Sequence, residues 1–282
     1  MAHTQVNWLI EQYGHNDQRT DAWHAKRSEM LTASEIWKTV KDSSPASRHE
    51  IVLSKLVPRD SNSGGGARAL VWGTQFEPIA KQIYEGLNGV SVVDTSCIPH
   101  PDHAFLGASP DGILVSKDVS HPLYGHLIEI KCPISRDFDD STQVPSAYFH
   151  QMQLQMACSG LNVCEYAEFK FKAMPYSEWL TTDAEYKSVY VVLEDGTVKY
   201  KDISDARSFS DWKDDVLCDV DMFQIQMVFW ALTKYKIRTV DKDPEWLATN
   251  LPSFQETWSL VQKHRSEQSL PEHPREKTTL VL

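Results

Sequence analysis

Three side chains stand out for the chemistry they could do together: Asp111, Glu129 and Lys131. They sit in Ser109-Pro110-Asp111-Gly112 and Glu129-Ile130-Lys131. Alternate residues of a β-strand face one side, so Glu129 and Lys131 share a face while Ile130 points into the sheet. Asp111, at the bend of a predicted hairpin, reaches that face from a neighbouring strand. Two carboxylates and an ammonium then converge. Such a pair suits Mg²⁺, which takes hard oxygen ligands and keeps several waters; the main-chain carbonyl of Ile130 is a further candidate ligand. A divalent ion lowers the pKa of a coordinated water enough for attack on phosphorus. Lys131 is placed to orient that water and to stabilise the developing negative charge. Glu-x-Lys on a strand is by itself the mark of a solvated face with a weak ion pair. Here the apolar Leu127, Ile128 and Ile130, and a Pro-Asp turn at a suitable distance upstream, favour the chemical reading.

These residues need a sheet to hold them. Thr32-Ala33-Ser34-Glu35 reads as a capping box that starts a helix through Ile36, Trp37 and Val40. Ser47–Val57 and Ala69–Leu87 read as helices, separated by a Gly-rich loop at Ser61–Gly66 that lacks the Gly-Lys-Ser/Thr of a phosphate loop. Short strands are predicted at Val90–Val93, Ala104–Ala108, Ile113–Val115 and His126–Lys131, with Asp111 at the bend between the second and third. A helix over Ser146–Ser159 ends at Gly160. Strands follow at Val163–Lys172, Ser188–Leu193 and Val198–Tyr200, the last two joined by Asp195-Gly196. Phe209–Tyr235 reads as one long apolar-rich helix, with Met222, Phe223, Ile225, Met227, Val228 and Phe229 as core. The order predicts an α/β or α+β sheet with helices on its faces. Residues 1–238 are expected to form the main domain, and 239–282 a helical extension with a loose tail.

Composition narrows the function classes. A length of 282 residues fits one large domain or one with an appendage. No long apolar run suggests a membrane span, and Met1–Gln12 lacks the order of a signal peptide. An intracellular protein, in the cytoplasm or in a host cell, is therefore expected. Five cysteines, an odd count with no C-x-x-C pair, argue for reduced thiols over a disulfide framework or zinc site. A net charge of −11 does not suggest a protein that coats nucleic acid, and it leaves open an enzyme that confines its cations to a local track. His100 and His103 are read as surface histidines, and Lys263, His264 and Arg265 as part of a solvated tail.

Six blocks in order carry a resemblance: Trp23-His24-Ala25-Lys26-Arg27, Thr32-Ala33-Ser34-Glu35, Trp72-Gly73-Thr74-Gln75-Phe76-Glu77, Ser109-Pro110-Asp111-Gly112, Glu129-Ile130-Lys131-Cys132-Pro133 and Tyr148-Phe149-His150-Gln151-Met152-Gln153. The pattern resembles the PD-(D/E)xK nuclease superfamily, and within it the phage lambda exonuclease or YqaJ-like viral recombinase group. The resemblance implies a restriction-endonuclease-like fold, a mixed central β-sheet flanked by helices. It assigns Asp111 and Glu129 as metal ligands, Lys131 as the catalytic lysine, Glu77 as a supporting helix glutamate, and Gln151 as the glutamine of a Y-x-x-Q motif, with Gln153 as its alternative.

The same resemblance places Arg27, Ser34, Ser109 and Arg136 around a terminal 5′-phosphate. Arg27 and Arg136 would supply bidentate donors, and Ser34 would sit in the first turn of the helix capped at Thr32. It implies a Mg²⁺-dependent enzyme, with Mn²⁺ able to substitute. Such an enzyme degrades one strand of linear double-stranded DNA 5′ to 3′ and leaves 3′ tails for recombination or end processing. A homotrimeric ring and a single-strand annealing partner are implied in the same way. An endonuclease with the same metal motif, and a non-catalytic DNA-end-binding protein, are the alternatives; an iron–sulfur nuclease is disfavoured because no cluster of four cysteines flanks the nuclease core.

Overall fold

The computed structural model describes residues 2–15, 17–57, 67–216, 218 and 225–274. The chain opens with helices α1 (Ala2–Tyr13) and α2 (Asp21–Ser28), strand β1 (Leu31–Thr32), a single 3₁₀ turn (Ile36–Lys38), and helices α3 (Pro45–Leu56) and α4 (Ala67–Asn88). Strands β2 (Ser91–Val93), β3 (Ile98–Pro99), β4 (Leu106–Ala108), β5 (Gly112–Val115) and β6 (Leu127–Lys131) lead into α5 (Ser146–Ser159). Then come β7 (Val163–Met174), α6 (Tyr176–Thr181), β8 (Lys187–Val192), β9 (Val198–Tyr200), α7 (Phe209–Val216), β10 (Gln226–Asp241) and α8 (Trp246–Glu267).

The described strands form a mixed seven-stranded sheet in the order β2-β5-β6-β7-β10-β8-β9 and a small sheet β1-β4-β3. Only β6 and β7 pair in parallel in the large sheet, with Glu129 opposite Tyr166 and Lys131 opposite Glu168. A parallel pair needs a crossover, and α5 supplies it. Pro145 precedes that helix, and Gly160, in the left-handed region at φ 72°, ends it.

Strand alternation divides the core into two layers. Ile113, Leu127 and Tyr166 face one way and pack with α1, α3, α5 and α8. Leu114, Ile128, Ile130, Ala167 and Phe169 face the other way, against α4. There Phe76 stacks on Phe171 with centroids 4.4 Å apart and meets Trp230 edge-on at 6.2 Å. Full burial of one such ring contributes about 1.5–3 kcal/mol. It locks the α4 turn that carries the adjacent Glu77.

Four expectations change. The strands on either side of Asp111 are not a hairpin, since β4 lies in the small sheet and β5 in the large one. The helix expected over Phe209–Tyr235 stops at Val216, and Gln226–Asp241 is instead a long strand paired along β7 and β8; Met222 and Phe223 lie outside the described residues. Cationic and apolar residues alternate along Lys234-Tyr235-Lys236-Ile237-Arg238, a strand period hidden behind the apolar run before it. The helix expected at Thr32 is a three-residue turn, because Leu31 and Thr32 are drawn into pairing with β4. His100 is buried rather than exposed, its Nδ1 accepting the Asp102 main-chain N–H at 3.1 Å.

The boundary at 238/239 falls inside β10, which pairs with β7 through Asp241. Helix α8 buries Trp246, Phe254, Trp258 and Val261 in the main core, and Lys263, His264 and Arg265 belong to its last turns. Arg265 donates to Glu29 at 2.6 Å and lies over Trp258. Residues 275–282, within the stretch expected to end in a loose tail, lie outside the described residues, as does the Gly-rich loop. No described helix is long and apolar enough to cross a membrane.

Candidate active site

A cleft of about 910 Å³ opens between α2, the first half of α4, the Ser109–Asp111 loop, the end of β6 and the start of α5. Asp111, Glu129, Ile130, Lys131, Glu77, Gln151, Arg27, Ser34, Ser109 and Arg136 all line it. The structure therefore brings the ten residues singled out from the sequence to one place.

Asp111 fastens the start of β5 to β6 with both main chain and side chain. Its N–H donates to the Ile128 carbonyl at 3.1 Å, and its Oδ2 accepts the Ile130 N–H at 2.6 Å. The loop before it is braced at Pro110, whose carbonyl accepts from Thr95 Oγ1 at 2.8 Å and Gln18 Nε2 at 3.2 Å. Burial, then the charges of Glu129 and Glu77, push the Asp111 carboxyl well above the ordinary carboxylate range, against the pull of Lys131 and Lys81.

Glu129 is 1% exposed and fully engaged. Its Oε1 accepts from Lys131 Nζ and, at 2.7 Å, from Gln151 Nε2; its Oε2 accepts from Gln155 Nε2 at 2.5 Å. Burial alone would lower the pKa of the Lys131 ammonium, but the carboxylates of Glu129 and Asp111 outweigh it and hold the group charged. The Tyr148 ring covers Lys131 Nζ at 4.9 Å. Gln153 faces the other side of the helix, donating to the Asp241 carbonyl at 2.9 Å, so Gln151 is the motif glutamine that reaches the site.

Glu77 is held by two cations. Arg19 Nη2 donates to Oε2 at 2.7 Å, and Lys81 Nζ lies 3.3 Å from Oε1 while also pairing with Asp94 at 2.6 Å. Glu77 thus braces the site electrostatically with both oxygens committed.

A second cluster adjoins the first. The Arg27 guanidinium lies 4.1 Å over the Trp23 ring, and its Nη2 donates to Thr32 Oγ1 at 3.1 Å and Ser34 Oγ at 3.0 Å. Trp23 Nε1 donates to Ser109 Oγ at 3.1 Å. Ser109 stands two residues before Asp111, so the cationic and acidic halves share a loop. The helix-dipole argument for Ser34 fails, since the turn after it is too short to carry one; its hydroxyl is organised by Arg27 instead. Arg136, on the far wall, is paired with the buried carboxylate of Glu168.

Sequence reasoning missed Gln155, Lys81 and Arg19. The first two had a signal, because Gln155 stands four residues after Gln151 and Lys81 four after Glu77, which places each on its partner's helix face. Arg19 had none: it sits in a loop at φ 72°, a conformation that side chains with a Cβ rarely adopt.

The donor set can be tested for a divalent cation. Among the described residues no three His, Cys, Asp or Glu side chains are gathered as a metal cage. Asp111 and Glu129 nevertheless offer hard oxygens, the Ile130 main chain lies beside them in the cleft, and the raised Asp111 carboxyl marks crowded negative charge. Mg²⁺ is commonly held by one or two carboxylates with waters and substrate phosphate completing the shell, and the residues fit that pattern.

Known proteins share this architecture. The chain is 29% identical over 184 residues to uncharacterized protein R354 of Acanthamoeba polyphaga mimivirus, covering 61% of this chain and 32% of that protein. It is 29% identical over 168 residues to protein D345L of African swine fever virus (strain Badajoz 1971 Vero-adapted), covering 50% and 46%. The matched regions thus span less than half the length of these curated relatives. Among solved structures, an alkaline exonuclease (LHK-Exo) from Laribacter hongkongensis superposes with a TM-score of 0.53 at 21% identity, over 88% of this chain and 96% of that one; the likeness is one of fold. The pattern of the YqaJ-like viral recombinase domain matches residues 22–162, half of the chain. That span begins at the arginine-bearing helix α2 and ends just past α5, enclosing Glu77, Asp111, Glu129, Lys131 and Gln151, and on it the chain belongs to the YqaJ-like viral recombinase domain family.

Proposed function

We propose that this protein is a Mg²⁺-dependent deoxyribonuclease that degrades one strand of linear double-stranded DNA from its 5′ end. The observation that carries this reading is the junction of two half-sites in one cleft. Asp111, Glu129 and Lys131 line one part, Arg27, Ser34 and Ser109 the adjoining part, and Ser109-Pro110-Asp111 joins them. Membership of a viral recombinase domain family and the alkaline-exonuclease fold support it.

Asp111 and Glu129, with the Ile130 carbonyl, would hold the cation; when bound it supplies Lewis acidity and an activated water. The remaining work falls to the chain. Gln151 and Gln155 fix the Glu129 carboxylate, so its oxygens need no reorganisation on binding. Lys131, kept charged by its two carboxylate neighbours, stabilises the negative charge that develops on the scissile phosphate. Arg27, stacked on Trp23, would grip the terminal phosphate with Ser34 and Ser109. Holding the strand end there places the first phosphodiester at Asp111 and Glu129, which sets a 5′-to-3′ direction and leaves a 3′ tail. Mn²⁺ would serve the same ligands. Trimer formation, which would enclose the duplex, and transfer of the tail to a single-strand annealing protein belong to the same proposal, as do roles in recombination or end repair.

The test is digestion of a linear duplex phosphorylated on one 5′ end, with Mg²⁺, by wild type and Lys131→Ala. Loss of the phosphorylated strand alone, slowed by about 10²–10³ or more in the variant, is the expected result. Internal cutting of closed circles would move the function to an endonuclease. Metal-independent end binding with no cleavage would leave a DNA-end-binding protein.

A further inference from the structure

The two arginines on the cleft are held by different devices. Arg27 rests on an indole face and two hydroxyls. Arg136 is set against Glu168, a carboxylate with 0% exposure. Alternation along β7 places Tyr166, Glu168 and Lys170 on one face, and all three address the segment that carries Arg136. Glu168 Oε1 accepts from Arg136 Nη2, and the Tyr166 hydroxyl lies 3.5 Å from the same nitrogen. Lys170 Nζ donates to the carbonyls of Ile134 at 3.0 Å and Arg136 at 2.8 Å, which pins the main chain as well. From the neighbouring strand β10, Arg238 Nη1 approaches Glu168 Oε2 at 3.4 Å.

This arrangement is more than an ion pair needs. One carboxylate meets two guanidinium groups, so the cluster keeps one surplus positive charge at the wall of the cleft. Even so engaged, the Arg136 side chain keeps 33% of its surface exposed on the cleft wall. The Tyr148 ring lies 5.8 Å from the Arg136 guanidinium and 4.9 Å from Lys131 Nζ, so one aromatic face spans the arginine and the lysine of the carboxylate site.

We infer that Glu168 is a positioning residue, which with Arg238 and Lys170 fixes Arg136 so that the exposed edge of its side chain meets the terminal phosphate of a DNA strand in the cleft. The inference rests on the exonuclease reading given above. It also makes a counterintuitive demand. If Glu168 merely damped positive charge, removing its negative charge would strengthen phosphate binding. If it positions Arg136, the same change weakens it.

The experiment is fluorescence anisotropy without metal ion, comparing a linear duplex bearing a 5′-phosphate with the same duplex bearing a 5′-hydroxyl. The proteins are the full chain as wild type, Arg136→Ala, Glu168→Gln and Glu168→Asp. Wild type is expected to prefer the phosphorylated end, and Arg136→Ala and Glu168→Gln to lose about tenfold of that preference, the worth of one charge-assisted hydrogen bond. Glu168→Asp guards against misfolding of the Gln variant, because it keeps the charge and withdraws the carboxylate by one methylene; it too is expected to lose preference. In the double variant Arg136→Ala with Glu168→Gln the preference should equal that of Arg136→Ala alone. Unchanged or increased preference in Glu168→Asp and Glu168→Gln, with a discriminating wild type, overturns the positioning role and leaves the exonuclease reading intact. A wild type that binds both ends equally overturns the terminal-phosphate reading itself, and this inference with it.

Discussion

Replacing Gln155 by methionine would take a donor from a buried carboxylate while leaving the shape of the helix face nearly unchanged. Glu129 is 1% exposed, and its Oε2 accepts the Gln155 amide at 2.5 Å. A hydrogen bond to a charged group contributes about 1.5–3 kcal/mol, and methionine, similar in length and adaptable in packing, adds little cavity cost. The natural control is Gln153→Met on the same helix. Gln153 donates to the Asp241 carbonyl at 2.9 Å and accepts from the Asp243 N–H at 2.8 Å, neutral bonds remote from the cleft. Each contributes about 0.5–1.5 kcal/mol, so the control should lose stability of similar size. Urea unfolding reads the stability, and nuclease rate against Mg²⁺ concentration reads the site. Gln155→Met should raise the half-saturating Mg²⁺ concentration by about 10–100-fold, the usual effect of removing a partner that orients a metal ligand. Gln153→Met should leave it unchanged. An equal shift in both variants, or none in Gln155→Met, would refute the claim that Gln155 holds Glu129 in its ligating geometry.

The other expectations concern the Asp111 loop, the proton and the arginine platform. A Cβ on Gly112 would collide with the Val92 side chain and come within 2.9 Å of the Val93 carbonyl, so Gly112→Ala should cost about 1–3 kcal/mol in thermal or urea unfolding and displace Asp111; wild-type stability would show that β2 yields freely. The Asp111 carboxyl is raised by burial, then by Glu129 and Glu77. A carboxyl raised in the folded chain favours the fold while protonated, and that contribution fades as pH climbs through its raised value. Mg²⁺ must displace the proton, so metal affinity should climb by up to about tenfold per pH unit until Asp111 is ionised. Calorimetry in two buffers of different ionisation enthalpy would show the released proton, and identical heats would contradict it. Trp23→Phe keeps an aromatic face under Arg27 but removes the donor to Ser109, so preference for a 5′-phosphate should fall a few-fold, about one neutral hydrogen bond; an unchanged preference would mean the indole N–H matters little beside the ring.

What could be read from the sequence followed from period and covalent neighbourhood. The Glu129-Ile130-Lys131 alternation, the α5 boundaries with Gly160 behind them, and α4 with Glu77 on its inner turn are local properties, and they came out as expected. What failed depended on partners far along the chain. Asp111 looked like the bend of a hairpin because Pro110 and Gly112 suit a turn; in the fold Gly112 opens β5 and its lack of a side chain admits β2. Phe209–Tyr235 looked helical because Met222–Phe229 is rich in apolar residues, broken only by Gln224 and Gln226. The paired strands β7 and β8, more than thirty residues upstream, decide its second half. Arg136 could be marked by resemblance, but Glu168 could not, since its role exists only where β7 passes behind the 134–136 segment.

The net charge shows how a bulk property can mislead while a local one informs. A chain of −11 carries excess acid overall, yet among the described residues five cations line the cleft, Arg19, Arg27, Lys55, Lys131 and Arg136, against four acids, Glu35, Glu77, Asp111 and Glu129. Counted formally, these described residues leave the cleft one charge positive before any divalent ion adds to it. Of the acids that would hold the ion, Asp111 stands immediately before β5 and Glu129 in the middle of β6, and four of the five cations reach in from helices, loops or the segment beyond β6. Rigid strands suit ligands whose spacing must not change on binding; longer side chains on the surrounding elements suit a backbone that must slide. The excess acid lies outside the cleft, where Debye screening at physiological salt, about 8 Å, keeps it from opposing the approach of a phosphate.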